Sequence, residues 1–197
     1  MVYIMSSNLG SIWSNNNFNT KNIVRPQINK KPVIKHNPKP TISSNKSSSR
    51  SFWGTPTWFL FHTIAARINE NWYNKNYMIV WEFITKCCST LPCPFCRSHA
   101  IAFVQRIPTN KISTKKGLQI VLYEFHNVAN SNSGKGNESR SVLEKYNRAN
   151  IKQIFDLFEN RFFRSYIGTR QFNDWQKNEF KKVFIKFYNT VRTKFDL

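Results

Sequence analysis

Midway along the chain stands Ser89-Thr90-Leu91-Pro92-Cys93-Pro94-Phe95-Cys96-Arg97-Ser98-His99-Ala100. Pro92 and Pro94 interrupt whatever precedes them, and Pro94 suits the first position of a helix, where a missing N–H is no loss. Cys93 would then be the N-cap, and Cys96, Ala100 and Val104 would line one face of the helix that follows. The preceding segment also reads as helix, from about Tyr77 to Ser89, with Trp81, Ile84 and Cys88 on one side. Two thiols two residues apart can therefore close a small ring at a helix N-terminus. The positive end of a helix lowers a thiol pKa and favours a nucleophile and leaving group there.

Working outward, the same 3.6-residue period recurs and period-two alternation is nearly absent, so the chain is read as all-α. A first helix is expected from Thr55-Pro56, as N-cap and first residue, with Trp58, Phe61, His62, Ala65 and Ala66 repeating. Ser113 or Thr114 starts another, with Leu118, Val121, Leu122, Phe125 and Val128-Ala129 inward. A polar loop containing glycine follows from Ser131 to Asn137. Ser141-Val142-Leu143-Glu144 fits a capping box opening a helix to about Arg164, striped by Ile151, Ile154, Phe155, Phe158 and Phe162. A last helix from about Phe172 to Lys194 carries Trp175, Val183, Phe184, Phe187 and Val191.

The 197 residues suit one domain with a tail, and 17 Phe and 6 Trp provide for an aromatic core. Residues 1–50 differ in kind: eight Lys or Arg, no Asp or Glu and four Pro. They bury too little apolar surface to offset ordering and read as a disordered basic tail. Ile12, Trp13 and Phe18 are its few candidates for a docking motif. The domain is expected over 51–165 and a C-terminal helical extension over 166–197. The N-terminus lacks a basic region leading into an apolar run, and no apolar stretch approaches a membrane span. A soluble, cytosolic chain is expected, where a dithiol is more often catalytic or metal-bound than structural. The net charge of +20 raises nucleic acid as a partner, although it is spread along the chain rather than packed into one arm.

Cys-x-x-Cys alone is ambiguous. All four cysteines lie between Cys87 and Cys96. Zinc usually takes two ligand pairs separated by a wrapping loop, whereas Cys87 and Cys88 are neighbours on a helix and diverge by about 100°. A glutaredoxin-like domain needs a strand before the motif and a distant cis-proline; here a helix precedes it, and the only later proline is Pro108. On the first expected helix Trp58 and His62 are one turn apart, as are His126 and Asn130 on the fourth. Two helices each offering a flat ring and a hydrogen-bonding group make a slot for a planar heterocycle, and Lys135 stands just beyond to meet a phosphate.

Trp53-Gly54-x3-Trp58-x3-His62, Leu91-Pro92-Cys93-x2-Cys96 and His126-Asn127-x2-Asn130-x3-Gly134-Lys135 follow in that order. Together they resemble the Erv/ALR family of FAD-linked sulfhydryl oxidases over about residues 52–160, and the wording around Cys93 is similar to compact forms of large cytoplasmic DNA viruses. The resemblance implies an FAD-binding bundle of four to five helices, with Trp53, Gly54, Trp58, His62, His126, Asn127, Asn130 and Lys135 at the cofactor. It implies that Cys93 is the interchange thiol and Cys96 the one beside the flavin. Dithiol or disulfide-carrier proteins would be substrates, O2 the electron acceptor giving H2O2, and a homodimer the assembly. The place of action would be the host-cell cytoplasm, with packaging in the virion. Thr55 stands where cellular members often have Arg, Ala129 replaces a Val, and the shuttle cysteines and structural disulfides of cellular members are absent. The competing reading is a basic, non-enzymatic scaffold or nucleic-acid-binding protein.

Overall fold

The computed structural model describes residues 46–166 and 173–196. The expected disorder of the tail therefore lies outside the described residues up to position 45, as does Phe172, where the last helix was expected to begin. Among the described residues there are six α-helices: α1 Lys46–Arg67, α2 Glu70–Ser89, α3 Pro94–Gln105, α4 Lys115–Ser131, α5 Ile151–Arg164 and α6 Asp174–Val191. A single turn of 3-10 helix spans Thr109–Lys111 and a longer 3-10 segment spans Arg140–Arg148. No strand is formed among them beyond an isolated bridge, Ile68 to Phe195. The all-α expectation holds.

Helix α1 begins earlier than Thr55-Pro56 suggests, so residues 46–50 belong to a helix rather than to a tail, and Pro56 lies inside it. Proline there removes one backbone donor. The helix nevertheless continues backward past it through Trp53, which is buried at 8% exposure, while Ser51 and Phe52 are exposed. Thr57 Oγ1 also donates to the Trp53 carbonyl at 2.7 Å. Beyond Pro56, Leu60, Phe61, Ile64, Ala65 and Ile68 are buried at the spacing of one helix face.

Helix α2 is capped by Asn69, whose side chain accepts from the Trp72 N–H at 3.0 Å. It breaks at Asn76, where φ is −130° and ψ 19°, and Asn76 Nδ2 donates to the Trp72 carbonyl at 2.9 Å. The expected start at Tyr77 is therefore the second half of a longer, kinked helix. Helix α4 starts as expected, capped by Thr114. Gly117 in its first turn has no room for a side chain, since a Cβ there would run into the Lys111 carbonyl. Val128, expected inward, is 40% exposed because the buried stripe of α4 runs through Phe125, His126 and Asn130 instead.

The capping box at Ser141 does not form. Ser139 caps the 3-10 segment, Ala149 is extended, and Asn150 caps a separate α5. Only Tyr146 of that segment is buried, so no apolar stripe at helical period holds it as an α-helix. Helix α6 opens with a capping box the sequence reading did not use, Asn173 with Gln176. Trp175, expected in its inward stripe, is 70% exposed, and Phe180 takes that place in the core.

Helix α1 packs on α5, α4 and the 3-10 segment, while α2 packs on α3 and α6. The seam between α2, α5 and α6 is a stack of phenylalanines. Phe83 lies flat on Phe187 with centroids 3.9 Å apart, and Phe158 contacts Phe162 at 4.6 Å and Phe184 at 5.3 Å. The C-terminal end is tied to the α1–α2 turn: Asn69 N–H donates to the Lys194 carbonyl at 2.7 Å, Asp196 N–H to that of Arg67 at 2.8 Å, and Lys115 pairs with Asp196 at 3.2 Å.

Candidate active site

Two clusters stand out, one of thiols and one of rings. Cys93 is the N-cap of α3 with Pro94 following it, and its sulfur accepts a hydrogen bond from the Cys96 N–H at 3.2 Å. Both thiols are half-buried. The expectation of a lowered thiol pKa fails for Cys96. Burial first, then the hydrogen bond and charge of Cys93, push it up to about 12, against which Arg50 and its own backbone N–H act weakly. Desolvation outweighs the helix end, so Cys96 keeps its proton. Cys87 and Cys88 are fully buried on α2, and burial pushes both thiols well above their ordinary range. They are core residues, suited neither to exchange nor to bridging subunits. No group of three or more metal-ligating side chains occurs among the described residues.

The ring cluster joins three elements. Trp58 and His62 come from α1, His126 from α4 and Tyr146 from the 3-10 segment. Trp58 stacks on His126 with centroids 4.1 Å apart and planes 8° off parallel. His62 stacks on Tyr146 at 4.9 Å, and its Nε2 lies 3.0 Å from His126 Nδ1. The expected slot between α1 and α4 is thus filled by the two helices' own rings. A planar ligand would lie against this stack, not between Trp58 and His126. Phe125 meets Trp58 edge-on at 5.1 Å and stacks on Phe103 of α3 at 4.5 Å, which links the ring cluster to the helix that carries the dithiol. Arg50 acts electrostatically on Cys96, and Trp58 lies eight residues further along α1, about 12 Å of helix rise.

The remaining expected residues divide. Trp53 is buried in the core, and a Cβ at Gly54 would meet nothing within 4 Å, so open space lies there. Asn130 is buried at the end of α4. Asn127 closes a loop: its Oδ1 accepts from the Glu138 N–H at 2.9 Å, alongside Tyr123 Oη donating to the Glu138 carbonyl at 2.7 Å. With Gly134 at φ 70° and the Lys135 N–H on the Asn130 carbonyl at 2.9 Å, that loop folds back and brings Lys135 toward His126. Sequence reasoning missed Lys145 and Tyr146. Their signal was a basic residue beside an aromatic soon after a glycine loop, but the segment was read as α-helix, which would scatter them differently.

Electrostatics give this cluster its character. Burial, then Lys145 and Lys135, lower the His126 pKa to about 3. Burial, then His126 and Lys145, hold His62 well below its ordinary value. Lys145 is itself lowered by burial, with Glu138 opposing. The Tyr146 hydroxyl is buried without a hydrogen-bond partner. Neutral imidazoles, an unused phenol, stacked rings and the charges of Lys145 and Lys135 acting on His126 fit a ligand that is planar in one part and anionic in another.

The histidines make a pH prediction. Their folded pKa values lie below the unfolded value of about 6.5, so between pH 6.5 and pH 3 the unfolded chain binds protons that the native chain does not. Stability must fall as pH falls through that window. His126 alone contributes a loss of about 3 kcal/mol between pH 6.5 and pH 4. Urea unfolding at several pH values should show this slope, reduced in His126→Gln; a stability independent of pH from 7 to 4.5 would contradict it.

Two open clefts along α5, one lined by Asp156, Glu159, Lys177 and Lys181 and the other by Phe52, Leu157 and Arg161, contain no cysteine and no member of the ring cluster. No helix among the described residues is long and apolar enough to cross a membrane.

Comparison with known proteins points to one family. A protein of Invertebrate iridescent virus 3, provisionally named an FAD-linked sulfhydryl oxidase, is 26% identical over 96 residues, 48% of this chain and 65% of its own length. The FAD-linked sulfhydryl oxidase of African swine fever virus, from a Kenyan pig isolate, is 29% identical over 85 residues, 42% of this chain and 69% of its own length. The chain thus spans about two thirds of the length of these relatives. No solved structure matches it. The sequence profile of the Erv1 / Alr family matches residues 55–156, just over half of the chain and the span that contains the dithiol, both histidines and the Lys135 loop. The chain is a member of the Erv1 / Alr family.

Proposed function

We propose that the protein is an FAD-dependent thiol oxidase that forms disulfides in dithiol substrate proteins. The observation that carries the reading is the Cys93–Cys96 pair, with the Cys93 sulfur as N-cap of α3 hydrogen-bonded to the Cys96 N–H. The relatives' names supply the cofactor, and the ring cluster supports it. Trp58, His126, His62 and Tyr146 offer flat faces and a free phenol, and Lys135 and Lys145 offer charge for a diphosphate. Trp53, Gly54, Asn127 and Asn130 shape the surroundings. FAD, when bound, supplies the two-electron acceptor that restores the disulfide and hands the electrons to O2 as H2O2.

The chain's own steps are thiol–disulfide exchange. A substrate thiolate attacks Cys93 in the Cys93–Cys96 disulfide, forming a mixed disulfide and breaking the bond to Cys96. Cys96, with its high pKa, takes up a proton. The second substrate thiolate then attacks the substrate sulfur bound to Cys93, which closes the product disulfide and frees Cys93. Two substrate thiols are oxidised and one enzyme disulfide is reduced. His62 and His126, neutral at physiological pH, carry no charge of their own and hold the rings in register.

The test uses the full chain. Purified protein should carry flavin absorbance in the visible and consume O2 when given dithiothreitol. A well-folded preparation that stays colourless when FAD is added would sink the reading. The competing binding reading predicts salt-dependent retention on DNA with no redox activity.

A further inference from the structure

The loop that delivers Cys93 is held from two directions by groups that the exchange chemistry leaves unused. Tyr166, at the end of α5, is buried at 4% exposure and donates its hydroxyl to the Thr90 carbonyl. Arg97, directly after Cys96, donates Nε to the Leu91 carbonyl at 3.1 Å. These are consecutive carbonyls, two and three residues before the N-cap. The Arg97 charge also acts on the Tyr166 phenol, which makes the two side chains neighbours. Thr90 finishes α2 by donating Oγ1 to the carbonyls of Lys86 and Cys87 at 3.0 Å. Tyr166 lies beyond the residues matched by the family, 55–156.

We propose that Tyr166 and Arg97 are positioning residues for the dithiol, clamping the Thr90 and Leu91 carbonyls so that Cys93 stays on the N-terminus of α3 within closing reach of Cys96. The inference rests on the reading of Cys93–Cys96 as redox-active. A clamped loop raises the effective concentration of one sulfur at the other and so favours the disulfide over the dithiol. Releasing the clamp makes the disulfide easier to reduce. The edge-on contact of Tyr166 with Phe162 at 5.5 Å is a ring contact, so Tyr166→Phe keeps the ring and removes the hydroxyl that reaches the Thr90 carbonyl.

The experiment is an anaerobic equilibration of the full chain in glutathione buffers, acid-quenched and alkylated, with mass reporting four free thiols or two. The reaction is balanced: two protein thiols and one glutathione disulfide give one protein disulfide and two glutathione thiols. Tyr166→Phe is expected to lower this equilibrium constant about three- to tenfold, the worth of one buried hydrogen bond. Arg97→Lys keeps the charge but loses the Nε donor and should shift the constant in the same direction. The control is Tyr73→Phe, which removes a like hydrogen bond, Tyr73 Oη to the Ile112 carbonyl at 2.6 Å. Tyr73 sits at the opposite end of α2, about 20 Å of helix from Cys87. It should lower the melting temperature and leave the constant alone. An unchanged constant in Tyr166→Phe and Arg97→Lys, or an equal shift in Tyr73→Phe, overturns the clamp. A wild-type chain that keeps four free thiols even in fully oxidised glutathione overturns the redox reading itself, and the clamp with it.

Discussion

Cys96→Ser should abolish dithiothreitol-driven O2 consumption, a loss of at least about a thousandfold, because exchange needs both sulfurs. Cys93→Ser should do the same, although for the fold it is a mild change. Cys93 is an N-cap, and serine is among the best residues at that position. The inactive Cys93→Ser protein should therefore melt at or slightly above the wild-type temperature. Both variants should keep visible flavin absorbance, since neither cysteine belongs to the ring cluster of Trp58, His62, His126 and Tyr146. Cys88→Ala is the internal comparison: it empties a buried site on α2 but should remain active, its thiol being 1% exposed. Near-wild-type O2 consumption in Cys96→Ser would remove the dithiol from the mechanism.

Phe158→Ala should destabilise the chain by about 3–5 kcal/mol, which is a large share of the typical stability of a domain. Phe158 is fully buried and touches Phe162, Phe163 and Phe184, so it joins α5 to α6 and no flexible neighbour can fill its place. Trp175→Ala on α6 should change stability by less than about 0.5 kcal/mol, since that ring is 70% exposed. Urea unfolding of the pair distinguishes them. Equal losses would mean that α6 packs through its other face.

The contrast between Phe158 and Trp175 shows what periodicity can reveal. Both fit an apolar stripe, but only packing tells which end of the stripe the neighbouring helix reaches. The α3 start was legible because Cys93 and Pro94 carry their signal locally, in backbone geometry and a missing donor. The longer α1 was not, because Thr55-Pro56 is a local start signal, yet the helix runs back beyond it through the buried Trp53. Likewise Ser141 and Glu144 present a local capping box, but the segment is fixed by the single buried Tyr146 and by Asn150 capping α5.

Sequence by itself determined the all-α class, the dithiol at a helix N-terminus and the order of the three motifs that place the chain in its family. These are features of residues close along the chain, where spacing and capping suffice. Tertiary structure decided that Trp58 and His126 stack on each other instead of flanking a slot, and that Lys145 and Tyr146 join them. It decided too that Cys96 keeps its proton and that Tyr166 reaches the Thr90 carbonyl. Each of these depends on burial, or on contact between residues far apart in sequence. Desolvation and ring stacking exist only once the helices have packed, so no local pattern records them.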